Sequence, residues 1–230
     1  ISAVNSINWA RLMSQIVYYF FAASQLGSPH RKIAFSVPTG NFGDVFAGYV
    51  AGQMGLPIEK LIVATNVNDI LHRALSVGDY SPRTVTPPAA SSMHIQVSSN
   101  FERLLFDLEG RDGGKTLARM LAFEGSGNMQ IDPEMQAKAK EIFVSHRVDA
   151  DDMAMAMRWA HEEAGQVIDP HSAIGLSAAR SADIDPAVPI VTLATAHPAK
   201  FQDAVERATG VRPSLPKRIG DLFDREEAYE

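Results

Sequence analysis

The sequence predicts an α/β protein built on an open, mostly parallel twisted sheet with helices on both faces. Two runs, KIAFSV at 32–37 and KLIVATNV at 60–67, are short, aliphatic and apolar without polar alternation. Each leads into a helical pattern, and the order strand, helix, strand, helix with continuously apolar strands marks a parallel sheet covered on both sides. A third such run, PIVTLAT at 189–195, adds a strand late in the chain.

The elements follow in order. After Asn5 and Ser6, apolar residues at Ile7, Leu12, Ile16, Tyr19, Phe20 and Ala23 keep helical spacing, which predicts a helix over 7–25 stopped by GSP at 27–29. The run IVYYFFAASQL at 16–26 is shorter than the roughly 20 residues of a membrane span, so it reads as a buried helix. The strand at 32–37 enters the turn of SVPTGNFGDVFAG, and small and apolar residues then open a second helix. DILHRALSVG predicts a helix after the second strand, and DYSPRTVTPPAASSMHIQVSSN at 79–100, with three prolines and little periodicity, predicts a long loop. Helices are expected over about 101–109, 113–123, 133–145, 151–165 and 171–181, and a last one over HPAKFQDAVERATG, closed by Gly210. A domain-connecting helix at 1–28, an α/β domain at 29–210 and a charged surface tail at 211–230 summarise this organisation.

The 230 residues, with 46% hydrophobic and 21% charged, suffice for a sizeable core. A net charge of -6 argues against a nucleic-acid surface, which concentrates Lys and Arg on one face. No membrane partner is expected either. Cysteine is absent, which removes disulfide and thiolate chemistry and fits a reducing, cytoplasmic setting. The chain opens at Ile1 without a Met or a cationic leader, which reads as a fragment of a longer polypeptide.

Three clusters carry candidate chemistry. In the first, Gly40 and Gly43 give the strand-to-helix turn the freedom for positive φ and close backbone approach. A helix N-terminus presents unpaired N–H groups and partial positive charge, so this turn suits a phosphate held by main-chain donors. A tight turn that needs glycine only for geometry is the plainer reading. The stretch lacks the Lys of a Walker loop and is not GxGxxG, which disfavours nucleoside triphosphates and dinucleotides. In the second cluster Asn5, Ser6 and Asn8 precede Arg11 at the start of the first helix, where hydroxyl, amide and guanidinium suit another anion. Capping by Ser6 and a surface Arg explain the same residues. The third cluster, Thr192, Thr195 and His197, lies at the carboxyl end of a buried strand, where ligands bind in open sheets. Local hydroxyl bonding and a His cap are the alternative. DADD at 149–152 reads as helix-start charge, HEE at 161–163 is not HExxH, and GxSxG is absent, so neither a metal nor a hydrolase nucleophile is expected.

NSINWARL, SVPTGNFGDVFAGYVAGQMGLP, ATNVNDILHR and TAHPAKF together resemble threonine synthase, a pyridoxal-phosphate enzyme of fold type II, in correct order from Ile1 to about Gly210. The resemblance implies conversion of O-phospho-L-homoserine and water to L-threonine and phosphate, with pyridoxal 5'-phosphate as cofactor. It implies that Gly40, Asn41, Phe42, Gly43 and Asp44 surround the cofactor phosphate, that Thr195 faces the pyridine nitrogen, and that Asn5, Ser6 and Arg11 contact the substrate phosphate. MHIQVSSNFERLLF is also similar to the family, except that His94 stands where Asp is expected. The family's Schiff-base lysine lies in a Phe-Lys-Asp context that does not occur here, and Lys32, Lys60, Lys115, Lys138, Lys140, Lys200 and Lys217 have strand-edge, helix-surface or tail contexts. The chain therefore reads as the carboxyl-terminal large domain without its amino-terminal, lysine-bearing partner, and no catalytic residue is assigned within it. A noncatalytic phosphate-binding module, or a fold type II lyase acting on a serine or cysteine derivative, are the competing readings.

Overall fold

The computed structural model describes residues 5–84 and 96–227, apart from the Phe223 side chain. The chain runs α1 (Trp9–Gln25), β1 (Ile33–Pro38), α2 (Gly43–Gln53), β2 (Ile58–Thr65), α3 (Ile70–Val77), α4 (Phe101–Leu108), α5 (Gly113–Ser126), α6 (Pro133–Ile142), β3 (Phe143–Arg147), α7 (Ala150–Ala164), α8 (Pro170–Ser181), β4 (Ile190–Thr192) and α9 (Gln202–Thr209). The four strands form one sheet in the order β3-β2-β1-β4, with every neighbouring pair parallel. The expected open parallel sheet is therefore the sheet the chain forms.

Alternation along the strands divides the interior in two, because successive side chains leave opposite faces of a sheet. Ile33, Phe35 and Val37 of β1, with Leu61 and Val63 of β2, face a core shared with α1 to α6. Ile62 and Ala64 face a second core with α7, α8 and α9. Helices thus cover both faces, and β1 and β2, buried between them, need no polar alternation in their sequence.

Several boundaries depart from the expectations. The helix read over 133–145 ends at Ile142, and Phe143–Arg147 forms a strand that the sequence reading missed. Its register on β2, Leu61 opposite Phe143 through Thr65 opposite Arg147, supplies the ladder bonds that a continued helix would forgo. β4 stops at Thr192 rather than at position 195. The last helix is a 3₁₀ turn, Pro198–Phe201, followed by α9. Of the loop at 79–100, the described parts are 79–84 and 96–100, and His94 lies outside the described residues.

The largest correction concerns α1, expected to be buried. Leu12, Tyr19 and Ala23 are buried on one stripe, but Trp9, Met13, Val17, Phe20 and Phe21 are exposed, Phe21 by 67%. With Ile16 and Ser24, and with Val50 of α2 and Met54 just after it, they line a shallow groove of about 850 Å³. The close approach of α1 to α2 depends on Gly48, where an added Cβ would stand 2.5 Å from Tyr19 Cε1 and 2.9 Å from Leu61 Cδ2.

Candidate functional site

Strand order places a crevice beside β1. The chain moves from β1 outward to β2 and β3, then returns to add β4 on the other side of β1. Ligands bind at the carboxyl ends of strands where an open sheet reverses direction in this way. At those ends, the turn after β1 and the segment Leu193–Thr195 after β4 border a cavity of about 840 Å³. Its third wall is α1 and the residues before it, contributing Asn5, Ser6, Arg11, Ser14, Gln15 and Tyr18.

Within the turn, the residue with positive φ is Phe42, at 63°, and not Gly40 or Gly43. A left-handed conformation costs a non-glycine residue roughly 1 to 2 kcal/mol. Burial of the ring offsets it: Phe42 is buried, edge-on to Phe101 at 5.3 Å and tilted against Phe143 at 5.6 Å. Gly43 serves close approach instead, since a Cβ there would meet Asn100 Nδ2 at 3.4 Å and the Ser6 carbonyl oxygen at 3.6 Å. Among the described residues no side chain caps α2, and its first residues Gly43, Asp44 and Val45 border the cavity. First-turn amides left free beside a cavity are donors suited to an anion.

Three residues that the sequence reading did not assign hold this geometry. Asn100, fully buried, donates from Nδ2 to the carbonyl oxygens of Asn41 and Ser6, both at 2.9 Å, and from its backbone N–H to Asn41 at 3.1 Å. One amide therefore ties the glycine turn to the segment before α1. Ser98 Oγ donates to the Gly40 carbonyl at 2.8 Å. The Tyr19 hydroxyl donates to the Asp44 carbonyl at 2.8 Å and approaches Asp44 Oδ1 at 3.3 Å. Ser98 and Asn100 sit in the SSN of a stretch whose resemblance was visible, but their partners are 58 and 59 residues away.

The start of α1 is resolved against the simplest capping reading. Asn8 is the N-cap, its Oδ1 accepting from the Ala10 N–H at 2.9 Å, and Asn5 Oδ1 accepts from the Ile7 N–H at 3.1 Å. Ser6 is not the cap and borders the cavity with Arg11. Of the third cluster, Thr195 borders the cavity, three residues beyond the end of β4. His197 instead caps the following 3₁₀ turn, its Nδ1 accepting from the Ala199 N–H at 3.2 Å. Thr192 packs toward α8, where its Cγ2 would lie 3.0 Å from a Cβ at Gly175. Asp149 caps α7 through the Asp151 and Asp152 N–H groups, as helix-start charge should.

Electrostatically, the cavity holds one carboxylate and one guanidinium among its lining residues, Asp44 and Arg11, and no lysine. Burial pushes the Asp44 carboxyl up to about 6, against smaller opposing pulls from the Tyr19 hydrogen bond and the Arg11 charge. Lys60 donates to the carbonyls of Lys140 and Glu141, Lys140 to that of Ser76, and Lys32 pairs with Glu59, all away from the cavity.

Residues 172–230 match the family model described as threonine synthase, C-terminal. The threonine synthase of Pseudomonas aeruginosa is 55% identical over 227 residues, 98% of this chain and 48% of that protein. The chain is similar to threonine synthases over nearly its whole length. The crystal structure of PLP-bound threonine synthase from Brucella melitensis superposes with a TM-score of 0.95 at 50% identity, over 99% of this chain and 49% of that one. The yeast threonine synthase structure superposes with a TM-score of 0.91 at 37% identity, over 98% of this chain and 50% of that one. The chain thus spans about half the length of the threonine synthases it matches. The fold type II architecture expected from the resemblance stands.

Proposed function

We propose that this chain is the cofactor-phosphate and substrate-phosphate half of a threonine synthase, converting O-phospho-L-homoserine and water to L-threonine and inorganic phosphate. The observation that carries the reading is the convergence of two anion-suited clusters on one cavity: Gly40 to Asp44 at the uncapped start of α2, and Asn5 and Ser6 just before α1 with Arg11 in its first turn. A lyase acting on an unphosphorylated serine or cysteine derivative needs only the first. A binding module has no use for Thr195 at the same cavity.

The donor set fits pyridoxal phosphate. Amides of Gly40, Asn41, Phe42, Gly43 and Asp44 would receive its phosphate, with the Asn100 clamp fixing the turn before any ligand arrives. Thr195 would present a hydroxyl to the pyridine nitrogen, which suits an unprotonated ring because a hydroxyl donates where a carboxylate accepts. When bound, the cofactor supplies the electron sink for the carbon chemistry, and the protein supplies position and charge. Asn5, Ser6 and Arg11 would orient the substrate phosphate, the guanidinium by a charge-assisted fork. No lysine borders the cavity. On this reading, the lysine that holds the cofactor comes from the half of the family's length outside this chain.

The same half is the occupant we assign to the groove of Trp9, Met13, Val17, Phe20 and Phe21. α1 has three faces: Leu12, Tyr19 and Ala23 on α2, Arg11, Ser14, Gln15 and Tyr18 on the cavity, and this apolar stripe. Large apolar patches left open mark interfaces, and relatives twice as long supply a segment that must meet the cavity from outside. The domain boundaries 1–28, 29–210 and 211–230 and a cytoplasmic location belong to this proposal. Among the described residues no helix is long and apolar enough to cross a membrane.

The test is turnover. The full-length protein with pyridoxal phosphate should release phosphate and threonine from O-phospho-L-homoserine in equal amounts. Phosphohomoserine binding without turnover would favour the binding module, and turnover of an unphosphorylated serine derivative alone would favour the other lyase.

A further inference from the structure

Asp44 is an unexpected neighbour for a phosphate. Asp44 lies in the first turn of α2, whose amides are the donors assigned above to the cofactor phosphate, and borders the same cavity as Asn5, Ser6 and Arg11. Tyr19 engages its carbonyl and Oδ1, while Oδ2 has no hydrogen-bond partner among the described residues. A site of this kind would hold two phosphate dianions, one carboxylate and a single guanidinium. Like charges sharing a site cannot all stay ionised without cost, and a proton on one of them relieves it.

Resting on the threonine synthase reading of this cavity, we infer that Asp44 takes up one proton when the substrate phosphate enters, and that the resulting carboxyl group is a hydrogen-bond donor to the cavity. The step is a proton transfer from solvent to a carboxylate oxygen, with no other bond made or broken. It converts a repulsive neighbour into a donor, and leaves Arg11 to balance the incoming charge. Binding then weakens as pH rises and Asp44 must be protonated from a more fully ionised state.

Its surroundings make Asp44 the group that responds. The groups acting on it from α1 are Tyr19 and Arg11, Tyr18 borders the cavity, and Leu193, Ala194 and Thr195, which also line it, carry no charge. Arg103 of α4 is turned to the Asn100 side chain and the Ile7 carbonyl. The Tyr19 hydroxyl is itself pushed well above its ordinary value by burial and by Asp44, so it stays protonated. The Asp44 carboxyl, held at about 6 in the free cavity, lies close enough to neutrality for one more dianion to carry it across.

Sulfate is the probe, because its charge is constant from about pH 5 to about pH 9 while phosphate titrates in that interval. Full-length protein loaded with pyridoxal phosphate is titrated calorimetrically with sulfate in pairs of buffers of different ionisation enthalpy. Wild type should take up close to one proton per sulfate at neutral pH, and its affinity should fall by about 10-fold per pH unit above neutrality. Asp44→Asn should bind sulfate with no proton uptake and no pH slope between about pH 6 and about pH 8. The wild-type buffer comparison needs no variant to fold. Saturable sulfate binding without proton uptake in wild type, or uptake retained in Asp44→Asn, overturns the inference and leaves the phosphate site standing. No saturable sulfate binding in either protein overturns the substrate-phosphate site and the inference with it.

Discussion

The hydroxyl of Tyr19 donates to the main-chain carbonyl of Asp44 at 2.8 Å, fastening the middle of α1 to the first turn of α2. The ring is fully buried against Phe35, with centroids 4.8 Å apart, so the helix that bears Arg11 and the helix that opens on the glycine turn share one rigid contact. Tyr19→Phe should keep the packing and lose the tie, at about 1 to 2 kcal/mol of stability by urea denaturation. Asp44 adds a pH dependence. Its carboxyl lies at about 6 against an ordinary 3.8, so its contribution is fully present below about pH 4 and is lost as pH rises through about 6. Asp44→Asn should therefore leave stability unchanged at about pH 4 and raise it at about pH 7.5. A variant less stable than wild type at the higher pH would show the carboxylate to be favourably held.

Gly48 decides how closely α1 sits on α2. Gly48→Ala places a methyl group 2.5 Å from Tyr19 Cε1 and 2.8 Å from Cζ, atoms of a buried ring with no room to move. The gain in helix propensity is about 1 kcal/mol, and the overpacking cost of about 1 to 3 kcal/mol exceeds it. The variant should melt lower than wild type, and its Tyr19 tie should weaken. A higher melting temperature would mean that the helices separate freely.

Arg11 is exposed in this chain and is the cavity's single lining guanidinium. In the full-length protein, Arg11→Ala should lower kcat/KM for phosphohomoserine by roughly 10- to 150-fold, corresponding to about 1.5 to 3 kcal/mol for one charge-assisted bond, and leave cofactor binding nearly intact. Arg11→Lys should rescue only part, because a point charge lacks the planar fork. Wild-type kinetics in the Ala variant would return Arg11 to an ordinary surface role.

Thr195 stands where β4 has already ended and borders the cavity that α1 also lines. Thr195→Val should keep the side-chain shape and remove the donor, costing about 1 to 3 kcal/mol in cofactor affinity or turnover. Thr195→Ser should be much milder. Thr195→Asp should change the cofactor's absorption, since a carboxylate favours the protonated ring. If the Val variant matches wild type in affinity, spectrum and turnover, the ring nitrogen lies elsewhere.

Local sequence determined the elements whose reasons are local. β1 and β2 were legible as unbroken apolar runs, the glycine turn as punctuation between strand and helix, and Asp149 as a cap by its place before a helical pattern. The residue types of the two clusters that border the cavity were legible too, as hydroxyls, amides, glycines and an arginine at two helix starts. Tertiary structure decided the rest. Phe143–Arg147 is a strand because β2 offers it a ladder, and Phe42 takes positive φ because Phe101 and Phe143 bury its ring. Asn8 rather than Ser6 caps α1, and Asn100 joins two clusters whose separation along the chain hides their contact. The outward face of α1 has the composition of a core but is open in this half. Periodicity reports which residues want to leave water, and only the packed neighbours determine where they go.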